Sequence, residues 1–177
     1  MNLASKIMKH LITIDLQGSA YVTPDNIRTL ETKCGHEFSF QEKIFLVNLG
    51  TTQQLLEILV NSQTYVRVTK QFEKADVIKR NVEILAKKKD DVLVLATAKI
   101  YKNELPQKVI EEVRSRNNGI GVILSRHHLW THRNIKRIGY DKDRSRLFRN
   151  YELLYNKHVA ADITEILSSK EYLDQEY

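Results

Sequence analysis

Two ionisable residues sit out of step with the strands that carry them. In the segment 76–86, "DVIKRNVEILA", period-two alternation puts Ile78, Val82, Ile84 and Ala86 on one face, and Arg80 falls among them. In the segment 158–167, "HVAADITEIL", Val159, Ala161, Ile163 and Leu167 share a face with Glu165. If both strands cover a core, each turns one charge toward it, and a buried charge needs compensation. Three arrangements supply it. One strand can bulge and return its charge to water. The two residues can form a buried ion pair with no function. Or they line one pocket, in which Arg80 grips a carboxylate and Glu165 meets a polar group of the same ligand.

Other reactive types are present without a matching pattern. His128 and His132 would stand at i and i+4 on a helix, with His127 adjacent, but no acidic ligand is near and no Glu lies between them in the HExxH sense. They read as surface or pocket-rim histidines, and no metal is expected. Trp130 beside them reads as a packing anchor. Ser125 and Cys34 lack a base at a recognisable spacing. Gly119 and Gly121 form a GxG without the third glycine of a dinucleotide fingerprint, so no organic cofactor is implied.

Charge is uneven along the chain. Ten Lys/Arg lie between Arg114 and Arg149 against only Asp141 and Asp143, a local +8 in a chain of net +6. Such a field suits a small carboxylate or a nucleic acid, and equally a solvated basic face. No RNP, KH or zinc-finger signature is present, so nucleic acid is not the expected partner.

The elements that must position these residues divide the chain in two. Thr23–Pro24 starts a helix whose apolar stripe is Ile27, Leu30 and Cys34, and Gly35 stops it. Ser39 with Glu42 forms a capping box before "KIFLVNL". Thr51 or Thr52 caps "QQLLEILVN". From residue 64 the pattern turns to strands, with a polar turn at "KKKDD" (87–91). "LPQKVIEEVRSR" returns to helical spacing through Leu105, Val109, Ile110 and Val113. "NNGIGVIL" is a glycine-bearing turn entering an apolar run. The end reads as a hairpin, "LFRNYELLY" and "HVAADITEIL", around Asn156 and Lys157. Helices grouped early and strands late argue a single α+β domain with a largely antiparallel sheet and helices packed on it.

Length and composition agree. The 177 residues are 42% apolar and 28% charged, enough for one domain with a sizeable core. One cysteine cannot make an internal disulfide, which fits a reducing compartment. The first residues, "MNLASKIMKHLITIDLQ", carry Lys6, Lys9 and His10 and read as an amphipathic helix rather than a signal peptide. Nothing reaches transmembrane length, so a cytoplasmic protein with no membrane partner is expected.

These segments together resemble the chorismate pyruvate-lyase family. "FSFQEKIFLVNLGTTQQLLEILVN" is similar to its opening helix, D-G-[ST] turn and second helix. "DVIKRNVEIL" resembles its arginine-bearing strand, "VLVLATAKIYKNELP" the next strand, "NNGIGVIL" its P-L-G-x-x-L segment, and "THRNIKRIG" its Arg-x-x-Ile-x-x-Ile-Gly. "RNYELLYNKHVAADITEIL" resembles the closing hairpin with its glutamate. The resemblance spans residues 38–167 and implies a chorismate lyase-like domain over 1–177, with 1–37 a helical N-terminal extension. It departs at Leu49, where the family has the aspartate of its turn, and at Ala98, where a basic residue is expected and Lys99 would face the other way.

The resemblance implies elimination of pyruvate from chorismate to give 4-hydroxybenzoate, without a cofactor. Arg80 would hold the ring carboxylate, helped by the backbone N–H groups of Ile120 and Gly121. Glu165 would meet the ring hydroxyl as general base or orienting group, and the sequence leaves open whether it is ionised. Thr51 and Thr52 would belong to a flap. Arg133 is the first choice to replace the cation missing at Ala98. The alternative is a non-catalytic sensor-like domain binding an aromatic or sugar acid. The oligomeric state is left open, a homodimer included.

Overall fold

The computed structural model describes residues 11–16 and 20–168. Its strands are β1 (Leu11–Asp15), β2 (Thr64–Lys74), β3 (Val77–Ala86), β4 (Val92–Tyr101), β5 (His132–Asp141), β6 (Arg146–Tyr155) and β7 (His158–Leu167). Its helices are α1 (Pro24–Cys34), α2 (Phe40–Val47), α3 (Thr52–Leu59), α4 (Gln107–Arg114) and α5 (Ile120–Arg126). All strand pairs are antiparallel, in the order β1-β5-β6-β7-β4-β3-β2. The α+β expectation therefore holds, as one domain built on one sheet.

Local chemistry sets the helix ends where the sequence placed them. Thr23 Oγ1 accepts from the Asn26 N–H and Asn26 Oδ1 accepts from the Thr23 N–H, a capping box closed by Asn, with Pro24 in the first turn. Gly35 ends α1 at φ +67°, a conformation that costs glycine no Cβ clash. Ser39 and Glu42 make the expected reciprocal box on α2. At α3 the expectation fails: Thr51 is the cap residue, but its hydroxyl makes no capping bond. The Thr52 hydroxyl is drawn instead into the buried site described below.

The core is the sheet face carrying Ile78, Ile84, Val94, Ile100, Ile163 and Leu153, closed by Leu30, Phe45, Leu46, Leu56, Val109, Ile110 and Ile123 from the helices. The opposite face presents Lys79, Asn81, Thr97, Lys99, Asp162 and Thr164, none of them buried. That division is the period-two signature of a sheet covered on one side.

Three further expectations are corrected. The reading of 1–17 as an amphipathic helix fails over residues 11–15, which form β1 paired with β5 from Leu11↔Asp141 to Asp15↔Arg137. Residues 1–10 lie outside the described residues. Trp130 is not a packing anchor, being 91% exposed. His128 and His132 share no helix, because α5 ends at Arg126, His128 takes φ +54° in a turn, and His132 opens β5. Among the described residues no group of three His, Cys, Asp or Glu is placed to hold a metal, and no helix is long and apolar enough to cross a membrane.

Gly139 is what lets β1 dock. A Cβ there would lie 2.6 Å from the Ile12 carbonyl oxygen and 3.0 Å from Thr13 Cγ2. Gly139→Ala is expected to lower stability by about 1–3 kcal/mol and to speed amide exchange in β1 before β3 or β4. Chemical denaturation with residue-resolved hydrogen exchange checks this, and an unchanged β1 would refute the tight approach.

Candidate functional site

The register carries one row of the inner face across four strands. Arg80 on β3 stands opposite Ala98 on β4, Ala98 opposite Ile163 on β7, and Ile163 opposite Tyr151 on β6. The next row runs Val82, Ala96, Glu165, Arg149. Ala96 and Ala98 are the smallest members of these rows, and the space they leave is a pocket. It is walled by Val66, Val82, Ile84, Ile163, Tyr151 and Arg133, and roofed by Thr51–Gln53 of the α3 start and Gly119–Val122 of the α5 start. Its empty space is about 540 Å³, the open mouth included.

Arg80 and Glu165 both line this pocket, and the structure decides between the readings of their phase. Neither residue sits on a bulge: the register runs unbroken through Arg80 and through Glu165. Nor are they partners. Glu165 pairs with Arg149, a residue the sequence analysis counted only as one of ten basic side chains.

The Arg149–Glu165 pair is fully buried and fully satisfied. Arg149 Nε donates to Glu165 Oε2 at 2.8 Å, and Nη2 approaches the same oxygen at 2.7 Å. Glu165 Oε1 accepts from Thr52 Oγ1 at 2.7 Å and from Tyr151 Oη at 3.0 Å. Arg149 Nη2 also donates to Thr52 Oγ1 (2.9 Å), while Nη1 donates to the Phe45 and Asn48 carbonyls (2.6 and 2.7 Å). Its guanidinium lies over the rings of Phe45 and Tyr151, 4.6 and 5.4 Å from their centroids.

Burial by itself would raise the Glu165 pKa. The Arg149 and Arg133 charges and the bonds from Thr52 and Arg149 outweigh it and hold the carboxyl below its usual 4.5. Glu165 is therefore ionised at neutral pH. The Tyr151 phenol is pushed well up, first by burial and then by the Glu165 charge, so it stays a donor.

Arg80 is the opposite case. It is 2% exposed, yet its side chain makes one hydrogen bond, from Nη2 to the Asn118 carbonyl at 3.0 Å, and its Nε is buried without a partner. Among the described residues it has no carboxylate in ion-pair range. Burial, with the Arg116 charge nearby, pulls its pKa from 12.5 down to about 10, so it remains a cation at neutral pH. This is a desolvated donor set turned on a cavity and left incomplete.

Arg133 reaches the pocket from β5. It lies 4.9 Å over the Tyr151 ring and makes one long bond, Nη1 to Thr52 Oγ1 at 3.5 Å, with no carboxylate partner among the described residues. Ile120 and Gly121 stand in the first turn of α5, where backbone N–H groups lack intrahelical acceptors. Gly121 allows the two roof helices to meet, since a Cβ there would come 3.2 Å from Thr51 Cγ2 and 3.7 Å from Arg133 Nη2. All seven expected site residues, Arg80, Glu165, Thr51, Thr52, Ile120, Gly121 and Arg133, thus line one cavity.

Arg149 and Tyr151 were missed, although the signal was present. In "RLFRNYELLY" the residues Leu147, Arg149, Tyr151 and Leu153 share a phase, and all four are buried. Most of the remaining basic stretch meets an acid: Arg114 with Glu73, Arg126 with Glu112, Lys136 with Glu152, Arg137 with Asp15, Arg144 with Asp141. The departures resolve locally. With Leu49 in place of an aspartate, Asn48 makes the turn, its Oδ1 accepting from the Gly50 N–H at 2.9 Å. Ala98 lines the pocket, and Lys99 sits on the far face, 4.7 Å over the Tyr101 ring.

The chain is 32% identical over 145 residues to the protein named "Putative lyase MJ0807" of Methanocaldococcus jannaschii, an alignment covering 72% of this chain and 78% of that relative. No family model matches the chain.

Two stability measurements test this electrostatic picture. Because Arg80 is buried without a counter-charge, Arg80→Met is expected to raise the stability of the ligand-free protein by about 1–4 kcal/mol in urea denaturation; a loss would mean that the Asn118 bond outweighs desolvation. Glu165→Gln removes a carboxylate whose folded pKa is depressed. Its contribution is complete above the usual carboxylate value and lost as pH falls through the folded one. Wild type should exceed the variant by about 3–5 kcal/mol near neutrality, with the gap narrowing as pH drops below 4.5. A gap independent of pH would show that the charge on Glu165 is not what the site stabilises.

Proposed function

The chain belongs to the family of "Putative lyase MJ0807", and from that premise we propose that it is a carbon–oxygen lyase that eliminates pyruvate from chorismate to leave 4-hydroxybenzoate. The observation that carries the reading is Arg80, a buried guanidinium facing a cavity without a carboxylate partner. A carboxylate ligand supplies the missing counter-charge and an acceptor for the free Nε in one bidentate contact. Arg133, likewise unpaired, is placed to take a second carboxylate, which supports a dicarboxylic substrate.

In this reaction the bond from ring C3 to the enolpyruvyl oxygen breaks, the C4 proton leaves, and the ring becomes aromatic. The released enolpyruvate takes up a proton to become pyruvate. Aromatisation supplies the driving force, so the protein has to orient the substrate, receive charge on the departing oxygen and exclude water. Arg80, with the Ile120 and Gly121 N–H groups, holds the ring carboxylate. Glu165 Oε2 is locked by two charge-assisted bonds from Arg149, whereas Oε1 holds two neutral donors, Thr52 and Tyr151. Oε1 is therefore the oxygen that can exchange a donor for the ring hydroxyl and orient C4 or take its proton. Apolar Val82, Ile84 and Ile163 with the two alanines suit the planar ring.

A second reading is favoured by Ala98, which leaves uncharged the position where the resemblance puts a cation: a non-catalytic domain that binds an aromatic or sugar acid.

The test is incubation of purified protein with chorismate, following 4-hydroxybenzoate against a no-enzyme control. Formation above the control is expected. Arg80→Ala should raise KM by roughly tenfold to a hundredfold, and Glu165→Ala should lower kcat by about a hundredfold or more. Normal kinetics in both variants would defeat the lyase reading. No turnover, with thermal stabilisation by 4-hydroxybenzoate that Arg80→Ala abolishes, would establish the binding domain instead.

A further inference from the structure

We infer that Arg149 is a positioning residue that makes the Asn48–Thr52 turn and the Glu165 carboxylate a single mechanical unit, so that the roof of the pocket cannot lift without disarming the carboxylate. Where it concerns turnover, this rests on the lyase reading; the coupling itself does not.

Arg149 has five N–H donors in a planar fork and no exposure to water. The edge made by Nε and Nη2 is spent on Glu165 and Thr52 Oγ1. The other end, Nη1, is spent on the Phe45 and Asn48 carbonyls, the exposed acceptors at the end of α2 where the roof turn begins. The turn thus starts on Arg149 at Asn48 and returns to it at Thr52, four residues later. Between these anchors its side-chain support among the described residues is the bond pair of Asn48 with Gly50, and Leu49 is half exposed. Raising this segment would strip a buried guanidinium of the Asn48 carbonyl and of Thr52, and would strip Glu165 of the Thr52 bond. Neither group has water to replace what it loses. A closed roof and an oriented carboxylate are therefore populated together. Lysine could keep the charge but not the geometry, because three donors on one nitrogen cannot reach both ends of this acceptor set.

Hydrogen exchange and steady-state kinetics on the full chain test the coupling. In Arg149→Lys the amides of residues 48–52 should exchange about tenfold faster, while those of β3 and β4 keep their protection. With chorismate, kcat should fall about a hundredfold with KM changed less than about threefold. Thr52→Val, which keeps the Arg149–Glu165 pair and removes only the bridging hydroxyl, should loosen the same five residues and guards against a folding failure in the lysine variant. Leu30→Ala, a destabilising change on α1 away from the pocket, should produce neither effect. Unchanged exchange at 48–52 in both site variants, or an equal kcat loss in Leu30→Ala, would overturn the inference. Absence of turnover in the wild type would remove the lyase reading alone, since the exchange pattern still answers for the coupling.

Discussion

Taking a guanidinium or a carboxylate out of water alone is costly, and the packing of this domain around Arg149 and Glu165 follows from that. Each ion surrenders several kcal/mol of hydration, roughly, on burial. Their mutual attraction offsets the loss only if every remaining donor and lone pair is met. Here each is met by a different element: Thr52 from the start of α3, Tyr151 from β6, the Phe45 and Asn48 carbonyls from the end of α2. The pair therefore fixes how two helices sit on the sheet. The Thr52 hydroxyl, in the first turn of α3, is committed to the pair and lies between its two charges.

Beside this saturated pair the domain leaves Arg80 unfinished. The two arginines occupy the same sheet face, one strand either side of the β4–β7 pairing, and they differ in what faces them. Arg149 meets a carboxylate; Arg80 meets the hollow over Ala96 and Ala98. Larger residues at those two positions would fill the core and stabilise it. Their absence, together with a depressed guanidinium pKa, is the pattern of stability traded for a binding site. Arg133, 4.9 Å over the Tyr151 ring, brings to the same cavity a second cation with no carboxylate partner among the described residues.

Relationship and geometry bear on different questions. The relationship to "Putative lyase MJ0807" places the chain in a family. The geometry supplies what the proposed reading draws on: two guanidiniums, Arg80 and Arg133, and an ionised, hydrogen-bonded carboxylate, Glu165, lining one cavity. Of the wider run of basic residues, Arg114, Arg126, Lys136, Arg137 and Arg144 are engaged in ion pairs with Glu73, Glu112, Glu152, Asp15 and Asp141.

What the sequence determined by itself was whatever depends on neighbours along the chain. The caps of α1 and α2, the αL stop at Gly35, the strand limits of β7, the turn at Asn156 and Lys157 and the inward phase of Arg80 and Glu165 all follow from local sterics and from alternation with period two. The same alternation marked Arg149 and Tyr151, and only the mass of nearby basic residues hid them. Tertiary structure alone decided who partners whom. That Glu165 belongs to Arg149 and not to Arg80, that the basic stretch is neutralised by Asp15, Glu73 and Glu112, that residues 11–15 are an edge strand, and that Trp130 faces water are all set by contacts between segments far apart. Period and phase tell a side chain which way to point; only the register of strands brought together across the chain tells it what it will meet.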